Sequence, residues 1–412
     1  MVNIAVMGHG TVGSGVVEVL MKNSELITKK TKNGINVKYI LDRNDFNGLS
    51  YSDRFTKDFN VILNDPEIKV VAEVMGGLHP AYEFTKACLE AGKSVVTSNK
   101  ELVAQKGSEL LHIAEQYNVN YLFEASVGGG IPVLRPIAQC LAANDLYEVQ
   151  GILNGTTNFI ITKMVAEGVS FEDALAEAQR LGYAEKDPTA DIEGHDACRK
   201  ICILAALAFG KHVYPDSVYT EGITKITSAD TAYADFSNSV IKLIGRAKRT
   251  NDGKCTATVY PAFVPNTNQL SHVNGVFNAV LVRGDAIGDV LFYGAGAGKL
   301  PTASAVVADI IDCVKHLAAR KYLSWDDADS SYIADHKNDT IRLYVRLMAK
   351  NDRAAVRANA EELFGEIKVL GRNGEDANEL AFITPFATEK EIYNQLKKLN
   401  KCKILSTMRV LD

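Results

Sequence analysis

The ten residues DIEGHDACRK (191–200) set two aspartates, a glutamate, a histidine, an arginine and a lysine directly before ICILAALAFG. From Ile201 to Phe209 every residue is apolar, the pattern of a helix buried on all sides. Asp196 and Lys200 stand four apart, so a helix places them on one face a turn apart, in the order that favours an ion pair. A buried ammonium without a partner is costly or loses its proton, so Lys200 beside Asp196 is a candidate proton donor or acceptor. Most lysines are ordinary surface residues; the apolar run that adjoins this one sets it apart. A second lysine, Lys100 in TSNKE, follows a strand-like run, at the sheet edge where ligands gather in open α/β folds.

Glu185, Asp187, Asp191 and Glu193 make the loop before the helix strongly acidic. Solvation alone accounts for such a loop. The sharper reading is that some of these carboxylates face a ligand's ammonium group. NGTTN (154–158), between a strand-like and a helical run, can offer backbone N–H groups to the same ligand's carboxylate. Together these fit an amino-acid-like substrate without naming it.

GHGTVG puts Gly8, Gly10 and Gly13 in GxGxxG spacing, after a strand and opening a helix. The first glycine permits a tight turn, the second lets backbone approach a pyrophosphate, and the third allows helix and strand to pack closely. The helix N-terminus then meets the phosphates. In that context a bound dinucleotide is the better reading than a structural turn. The next strand ends in Asp42-Arg43, later than the usual offset of about 20 residues for the ribose-binding acid. An acid there favours NAD and an arginine can hold the 2′-phosphate of NADP, so both cofactors stay open, with the balance toward NADP. His9 inside the loop could make the phosphate site pH-sensitive, although a histidine without that role is the commoner case. A second glycine run, GAGAG (294–298), precedes a helix near Pro301 and can close over the nicotinamide side.

The elements that must position these groups follow from periodicity. NIAVM (3–7), VKYIL (37–41), KVVAEVM (69–75), KSVVTS (93–98) and NYLFEAS (120–126) read as buried strands, with helices such as HPAYEFTKACLEAG between them. That alternation implies a parallel sheet covered on both faces, a Rossmann-type doubly wound α/β domain. After Pro132 the rhythm becomes α+β. YEVQGILN, KCTATVYPAF, VFNAVLVRGD and DVLFYG read as strands of an antiparallel-leaning sheet. PTASAVVADIIDCVKHLAARK (301–321) is a long helix returning to complete the first domain, and the polar passage after it reads as a linker. The last 75 or so residues show a βαββαβ-like order. The expected division is a dinucleotide-binding domain at 1–134 completed by 295–320 and a substrate-binding and dimerisation domain at 135–294. A linker at 321–338 and a C-terminal module at 339–412 follow.

A chain of 412 residues, 47% of them apolar, is long enough for two or three domains with real cores. A net charge of −5 argues against nucleic acid or an anionic membrane as the main partner. Cysteines at 88, 140, 198, 202, 255, 313 and 402 form no CxxC pair or Cys/His cluster, so neither zinc nor a disulfide framework is suggested. The N-terminus enters a strand-like run without a basic region, and no window reaches the apolar length of a membrane span. A soluble cytoplasmic protein is expected.

GHGTVGSGV, GGLHPAYE, VVTSNKELVA, FEASVGGGIPVLRP, GILNGTTNFI, LGYAEKDPTADIEGHDACRK and FYGAGAGKLPTASAVVADI occur in that order over roughly residues 3 to 315. In these blocks the chain resembles the homoserine dehydrogenases, which interconvert aspartate 4-semialdehyde and homoserine. The resemblance implies that Lys100 and Lys200 flank the reacting carbonyl, with Lys200 the leading acid/base and Asp196 holding it. It implies Glu185 and Asp191 at the substrate ammonium and Gly155 with Thr156 at its carboxylate. The cofactor would meet Gly8, His9, Gly10, Thr11, Val12 and Gly13, then Arg43, Asn99, Lys100 and the turn of Gly294, Gly296 and Gly298. A monovalent cation such as sodium would sit at Glu124 with backbone carbonyls of Val127, Gly129 and Ile131, a hard-ion site. A homodimer, or a higher homo-oligomer, is likewise implied.

The C-terminal module resembles the ACT domain that many members carry for feedback by an amino acid, typically threonine. Its first strand-to-helix turn usually carries Gly after Pro, whereas this chain reads MAKNDRAAV. The module is therefore expected to serve association more than sensing. Two rivals remain at this stage: a reductase of another semialdehyde on the same nucleotide fold, and a dinucleotide sensor without activity. The acidic loop up to Lys200 speaks against the first and the paired lysine against the second.

Overall fold

The computed structural model describes residues 1–319 and 323–411, and they divide into two compact units. One holds Met1–Tyr147, Cys202–Pro215 and Arg283–Ser330; the other holds Glu148–Ile201, Asp216–Val282 and Ser331 onward. Arg320, expected to end the first domain, Lys321 and Tyr322, expected to open the linker, and Asp412 lie outside the described residues.

The first unit is built on six parallel strands: β1 (Val2–Met7), β2 (Ile35–Leu41), β3 (Phe55–Thr56), β4 (Ile68–Glu73), β5 (Ser94–Thr97) and β6 (Tyr121–Leu122). Their order is β3-β2-β1-β4-β5-β6, so the direction of winding reverses between β1 and β4. That switch point opens a crevice at the strands' carboxyl ends. The strands are Val/Ile-rich because both faces are covered. Ile4, Val6, Val70, Ala72 and Val96 pack with Val16, Val17 and Leu20 of helix Thr11–Lys22 in one core. Helix Lys299–Lys315 adds Ala303, Val306, Val307 and Ile310 to that core. NYLFEAS yields only the two residues of β6 before a 3₁₀ turn at Glu124–Ser126. The passage expected as a linker is anchored in part. Trp325 is buried, donating from Nε1 to His212 Nδ1 at 2.9 Å, and the indole lies against Phe123.

The second unit is built on a mixed sheet with β7 (Leu146–Ile152), β8 (Tyr219–Thr220), β9 (Ser239–Arg249), β10 (Cys255–Pro265) and β11 (Phe277–Gly284). After β12 (Gly288–Ala295), which falls in the first unit, come β13 (Thr340–Ala349), β14 (Lys368–Leu370), β15 (Glu379–Ile383), β16 (Ala387–Thr388) and β17 (Cys402–Val410). Within the unit the order is β11-β7-β9-β10-β17-β13-β15-β14. The β9–β10 pair is antiparallel over eleven residues, whereas β10 meets β17 in parallel at Ala262–Arg409 and Phe263–Val410. The C-terminal residues form β13, helix Arg353–Phe364, β14, β15, helix Glu389–Leu396 and β17, a βαββαβ order around Leu343, Val345, Leu380, Phe382 and Ile392. Through β17 this module's sheet continues that of the substrate region, and the two share one compact unit. Helix Ser228–Phe236 and β9 had no counterpart in the sequence reading.

Candidate active site

The glycine loop lies at the carboxyl end of β1, next to the switch point. Gly8 has φ 98°, which side chains rarely adopt, and a Cβ on Gly13 would sit 1.9 Å from the Gly8 carbonyl oxygen. Gly10 precedes helix Thr11–Lys22, with no side-chain cap on the first turn and no acid in it, so the positive end of the helix is kept for an anion. These features fit a dinucleotide pyrophosphate over Gly8–Gly13. Asp42 faces the loop: its Oδ2 accepts from His9 N at 2.8 Å and its Oδ1 from Asn44 N at 2.9 Å. Burial opposes the Asp42 charge, but these donors hold its carboxyl below the usual range. Arg43 beside it is exposed. The His9 ring is enclosed by Phe46, Tyr51 and Phe55, with Nε2 3.2 Å from the Tyr51 hydroxyl, and burial lowers its pKa.

Lys100 is the first residue of helix Lys100–Gln116, after β5. Asn99 caps that helix, accepting from Leu102 N at 3.1 Å while its Nδ2 donates to the Gly77 carbonyl at 2.6 Å. Below it lies Glu73, fully buried at the end of β4, which accepts from Thr97 Oγ1 at 2.6 Å and Met75 N at 2.8 Å. Burial pushes the Glu73 carboxyl up. Sequence reading passed over Glu73, the one acid in strand β4. Its network ties the ends of β4 and β5, from which Asn99 and Lys100 start.

The GAGAG turn meets FEASVGGGI in the same unit. Gly130 N donates to the Ala295 carbonyl at 3.1 Å, and a Cβ on Gly129 would lie 2.4 Å from the Gly296 carbonyl oxygen. Gly294 packs on Ile131, and Gly298 ends the turn at φ 121° before helix Lys299–Lys315. Gly128 and Gly129 are both left-handed, at φ 75° and 55°, which curls the backbone of Val127–Ile131. The Glu124 carboxylate accepts from Val133 N, Leu134 N and Arg135 N at 2.6, 2.8 and 2.7 Å. Three of its about four acceptor positions are thereby used, so this side chain caps the turn after the glycines rather than standing open to an ion. Among the described residues no group of three or more His, Cys, Asp or Glu side chains could hold a metal, and the seven cysteines are thiols.

Helix His195–Phe209, whose residues up to Ile201 belong to the second unit, begins inside the charged stretch. Ile201–Ala206 are buried, and Leu207, Ala208 and Phe209 only partly so. Lys200 is 8% exposed and Asp196 3%. Lys200 Nζ donates to Asp196 Oδ2 at 2.6 Å and to the Leu153 carbonyl at 2.8 Å. Asn154 Nδ2 donates both to Asp196 Oδ2 at 2.9 Å and to Asp191 Oδ1 at 2.7 Å. One asparagine thus joins the acid loop to the lysine's partner. Asn154 also caps helix Gly155–Glu167, its Oδ1 accepting from Thr157 N at 2.8 Å. Its role was visible in sequence only as an N-cap residue before the helical run.

Gly155 opens that helix where a Cβ would meet the Val276 carbonyl oxygen at 2.6 Å. The Thr156 hydroxyl donates to the Tyr183 carbonyl at 2.7 Å, which leaves its backbone, not its hydroxyl, for a ligand carboxylate. Glu185 is exposed and its carbonyl accepts from Gln179 Nε2 at 3.0 Å, so it lies outside the Asn154 network. The structure therefore gathers Asp191, Asp196, Lys200, Gly155 and Thr156 around Asn154, and gathers the Gly8 loop with Asp42, and Asn99 with Lys100, in the first unit.

A dinucleotide cradle on a doubly wound sheet, in a chain that also buries a lysine against a carboxylate, marks a nicotinamide-dependent oxidoreductase. Two family models match the chain: homoserine dehydrogenase, NAD binding domain, over residues 8–124, and homoserine dehydrogenase over residues 132–311. The homoserine dehydrogenase of Neisseria gonorrhoeae is 40% identical over 95% of this chain and 93% of its own. That of Pseudomonas aeruginosa is 46% identical over 77% of this chain and 73% of its own. A crystal structure of a homoserine dehydrogenase from Thiobacillus denitrificans covers 100% of this chain and 98% of its own at 36% identity, with a TM-score of 0.89. A hyperthermophilic archaeal homoserine dehydrogenase mutant in complex with NADPH covers 76% of this chain and 97% of its own at 28% identity, with a TM-score of 0.64. The chain belongs to the homoserine dehydrogenase family. It is an NAD(P)-dependent oxidoreductase that interconverts L-aspartate 4-semialdehyde and L-homoserine, a step of aspartate-family amino-acid biosynthesis. Among the described residues no helix is long and apolar enough to cross a membrane.

Proposed function

We propose that Lys200 is the leading acid/base of this reaction, held by Asp196, and that Lys100 lies on the other side of the reacting carbonyl. The observation that carries this reading is the buried Nζ of Lys200, aimed by the Asp196 carboxylate and the Leu153 carbonyl together. When bound, the nicotinamide supplies a hydride to the aldehyde carbon or takes one from the alcohol. In the reducing direction Lys200 delivers a proton to the carbonyl oxygen, and both ammonium groups stabilise the charge that develops there. Asp191 and Glu185 bind the substrate ammonium, and the backbone of Gly155 and Thr156 receives its carboxylate at a helix N-terminus. Asp191 is supported by its tie to Asn154; Glu185 would have to act from outside that network.

The cofactor is held by Gly8, His9, Gly10, Thr11, Val12 and Gly13, by Arg43, Asn99 and Lys100, and by Gly294, Gly296 and Gly298. NADP is favoured over NAD, because Asp42 is engaged by the N–H groups of His9 and Asn44 while Arg43 is exposed for a 2′-phosphate. A monovalent cation such as sodium would take the carbonyls of Val127, Gly129 and Ile131, with Glu124 fixing the turn. The C-terminal βαββαβ module is read as ACT-like, serving association in a homodimer or higher oligomer; its first turn ends in Asp352, capping the helix at Ala355 N, without the glycine that would admit an effector. A cytoplasmic enzyme is the matching location.

Initial rates of homoserine oxidation with NADP and with NAD, for wild type and Arg43→Ala, test the cofactor reading. It requires a higher kcat/KM with NADP, falling about tenfold or more in the variant while the NAD value holds. Equal ratios in both proteins would remove Arg43 from the 2′-phosphate.

A further inference from the structure

Lys242, on β9, is 2% exposed and has no carboxylate partner among the described residues. Its ammonium is held by neutral oxygens alone: Asn158 Oδ1 at 3.1 Å, the Val273 carbonyl at 2.5 Å and Asn274 Oδ1 at 3.0 Å. Such a charge is expensive to bury, and desolvation brings its pKa down to about 8. The established chemistry makes no use of it, so its retention in a core asks for another account.

Its partners supply one. Asn158 stands one turn into helix Gly155–Glu167, and its Nδ2 donates to the Val273 and Phe277 carbonyls at 3.0 and 3.1 Å. Residues 273–277 are thus stitched to that helix by Lys242 and Asn158 together. They form the floor of its first turn, because Gly155 rests on the Val276 carbonyl with no room for a Cβ. The ammonium also adds a full positive charge near a helix end that already carries a partial one, in surroundings that screen it weakly.

We propose that Lys242 is a positioning residue for the substrate's carboxylate, fixing the first turn of helix Gly155–Glu167 on the 273–277 floor and adding its buried charge to that turn. The proposal rests on the reading that Gly155 and Thr156 receive the carboxylate. It predicts a larger defect in substrate binding than in chemistry, because the two bonds that aim Lys200, to Asp196 and to the Leu153 carbonyl, involve neither Lys242 nor Asn158 nor residues 273–277.

The test compares wild type with Lys242→Met and Asn274→Ala. It measures kcat and KM for homoserine, the inhibition constant of L-2-aminobutyrate (which keeps the ammonium and carboxylate but cannot react) and the NADPH dissociation constant by fluorescence. Lys242→Met should raise KM and the inhibition constant about tenfold or more, with kcat within about threefold and NADPH affinity unchanged. Asn274→Ala, which removes one acceptor and keeps the charge, should show the same split at a smaller size and covers the case that Lys242→Met fails to fold. Equal losses in kcat and KM, or an unchanged inhibition constant in both variants, would overturn the proposal. Gly155→Ala separates the two levels. If it leaves L-2-aminobutyrate binding intact, the carboxylate reading fails; if it weakens binding and the Lys242 and Asn274 variants do not, only the role of Lys242 fails.

Discussion

Replacing Asp196 by Asn removes one charge and almost no volume from the Lys200 site. Both residues are nearly fully buried, at 3% and 8% exposure, and the Nζ–Oδ2 distance is 2.6 Å. Breaking a buried pair by removing one partner costs about 3–5 kcal/mol, because the other charge is left behind. The Leu153 carbonyl still accepts from Nζ, and the Asn154 amide still finds an oxygen on the new side chain, so part of that cost is recovered. About 3–4 kcal/mol then falls on the orientation and charge of Lys200. At 1.36 kcal/mol per factor of ten, kcat should drop on the order of 10²- to 10³-fold. The assay is homoserine oxidation followed through reduced nicotinamide absorbance, with NADPH affinity and the thermal midpoint measured on the same preparation. A folded variant that binds cofactor normally and keeps kcat within about threefold of wild type would refute the coupling of Asp196 to Lys200.

The remaining predictions concern the cofactor unit. Gly13→Ala forces a methyl against the Gly8 carbonyl, since the added Cβ would lie 1.9 Å away, and should weaken NADPH binding by more than about tenfold in a fluorescence titration; unchanged affinity would place the pyrophosphate elsewhere. Gly129→Ala presses on the Gly296 carbonyl and should lower kcat/KM by separating the two glycine turns, a loss that a normal rate in the purified variant would contradict. His212 is held neutral, its Nδ1 accepting from Trp325 and its Nε2 meeting the Ala104 carbonyl, and burial lowers its pKa below the ordinary histidine value of about 6.5. The unfolded chain therefore takes up this proton first: the contribution is complete above 6.5 and is lost as pH falls below it, by at most about 1.4 kcal/mol per pH unit. Denaturant titrations between about pH 7 and pH 5 should show that loss in wild type and a flatter profile in His212→Gln.

How much was legible beforehand depended on whether a residue's signal was local. The Gly8 loop, the Asp196–Lys200 face and the parallel sheet come from spacing and periodicity, and both are local properties of the chain. Glu73 and Lys242 were missed because one charged residue between apolar neighbours (Ala72 and Val74, Ile241 and Leu243) gives no periodic signal, and what makes each of them matter is a partner far along the chain. Thr97, 24 positions on, anchors Glu73, and Asn158, 84 positions back, anchors Lys242. Asn154 could be seen as a cap but not as the bridge between Asp191 and Asp196, which requires the fold of the acidic loop onto β7. The passage after the long helix looked like a tether because its polarity hides Trp325, whose docking site on His212 lies 113 positions away. In the C-terminal module the elements were readable, but the parallel pairing of β17 with β10 was not, because two strands that meet over two residues leave no mark in either sequence.

The central claim is that Lys200 carries the proton transfer, and single-turnover reduction of aspartate 4-semialdehyde by NADPH-loaded enzyme, wild type against Lys200→Ala, tests it most directly. The account predicts normal NADPH binding in the variant, with the single-turnover rate lower by about 10²-fold or more. A rate within about threefold of wild type would contradict it and move the role to Lys100.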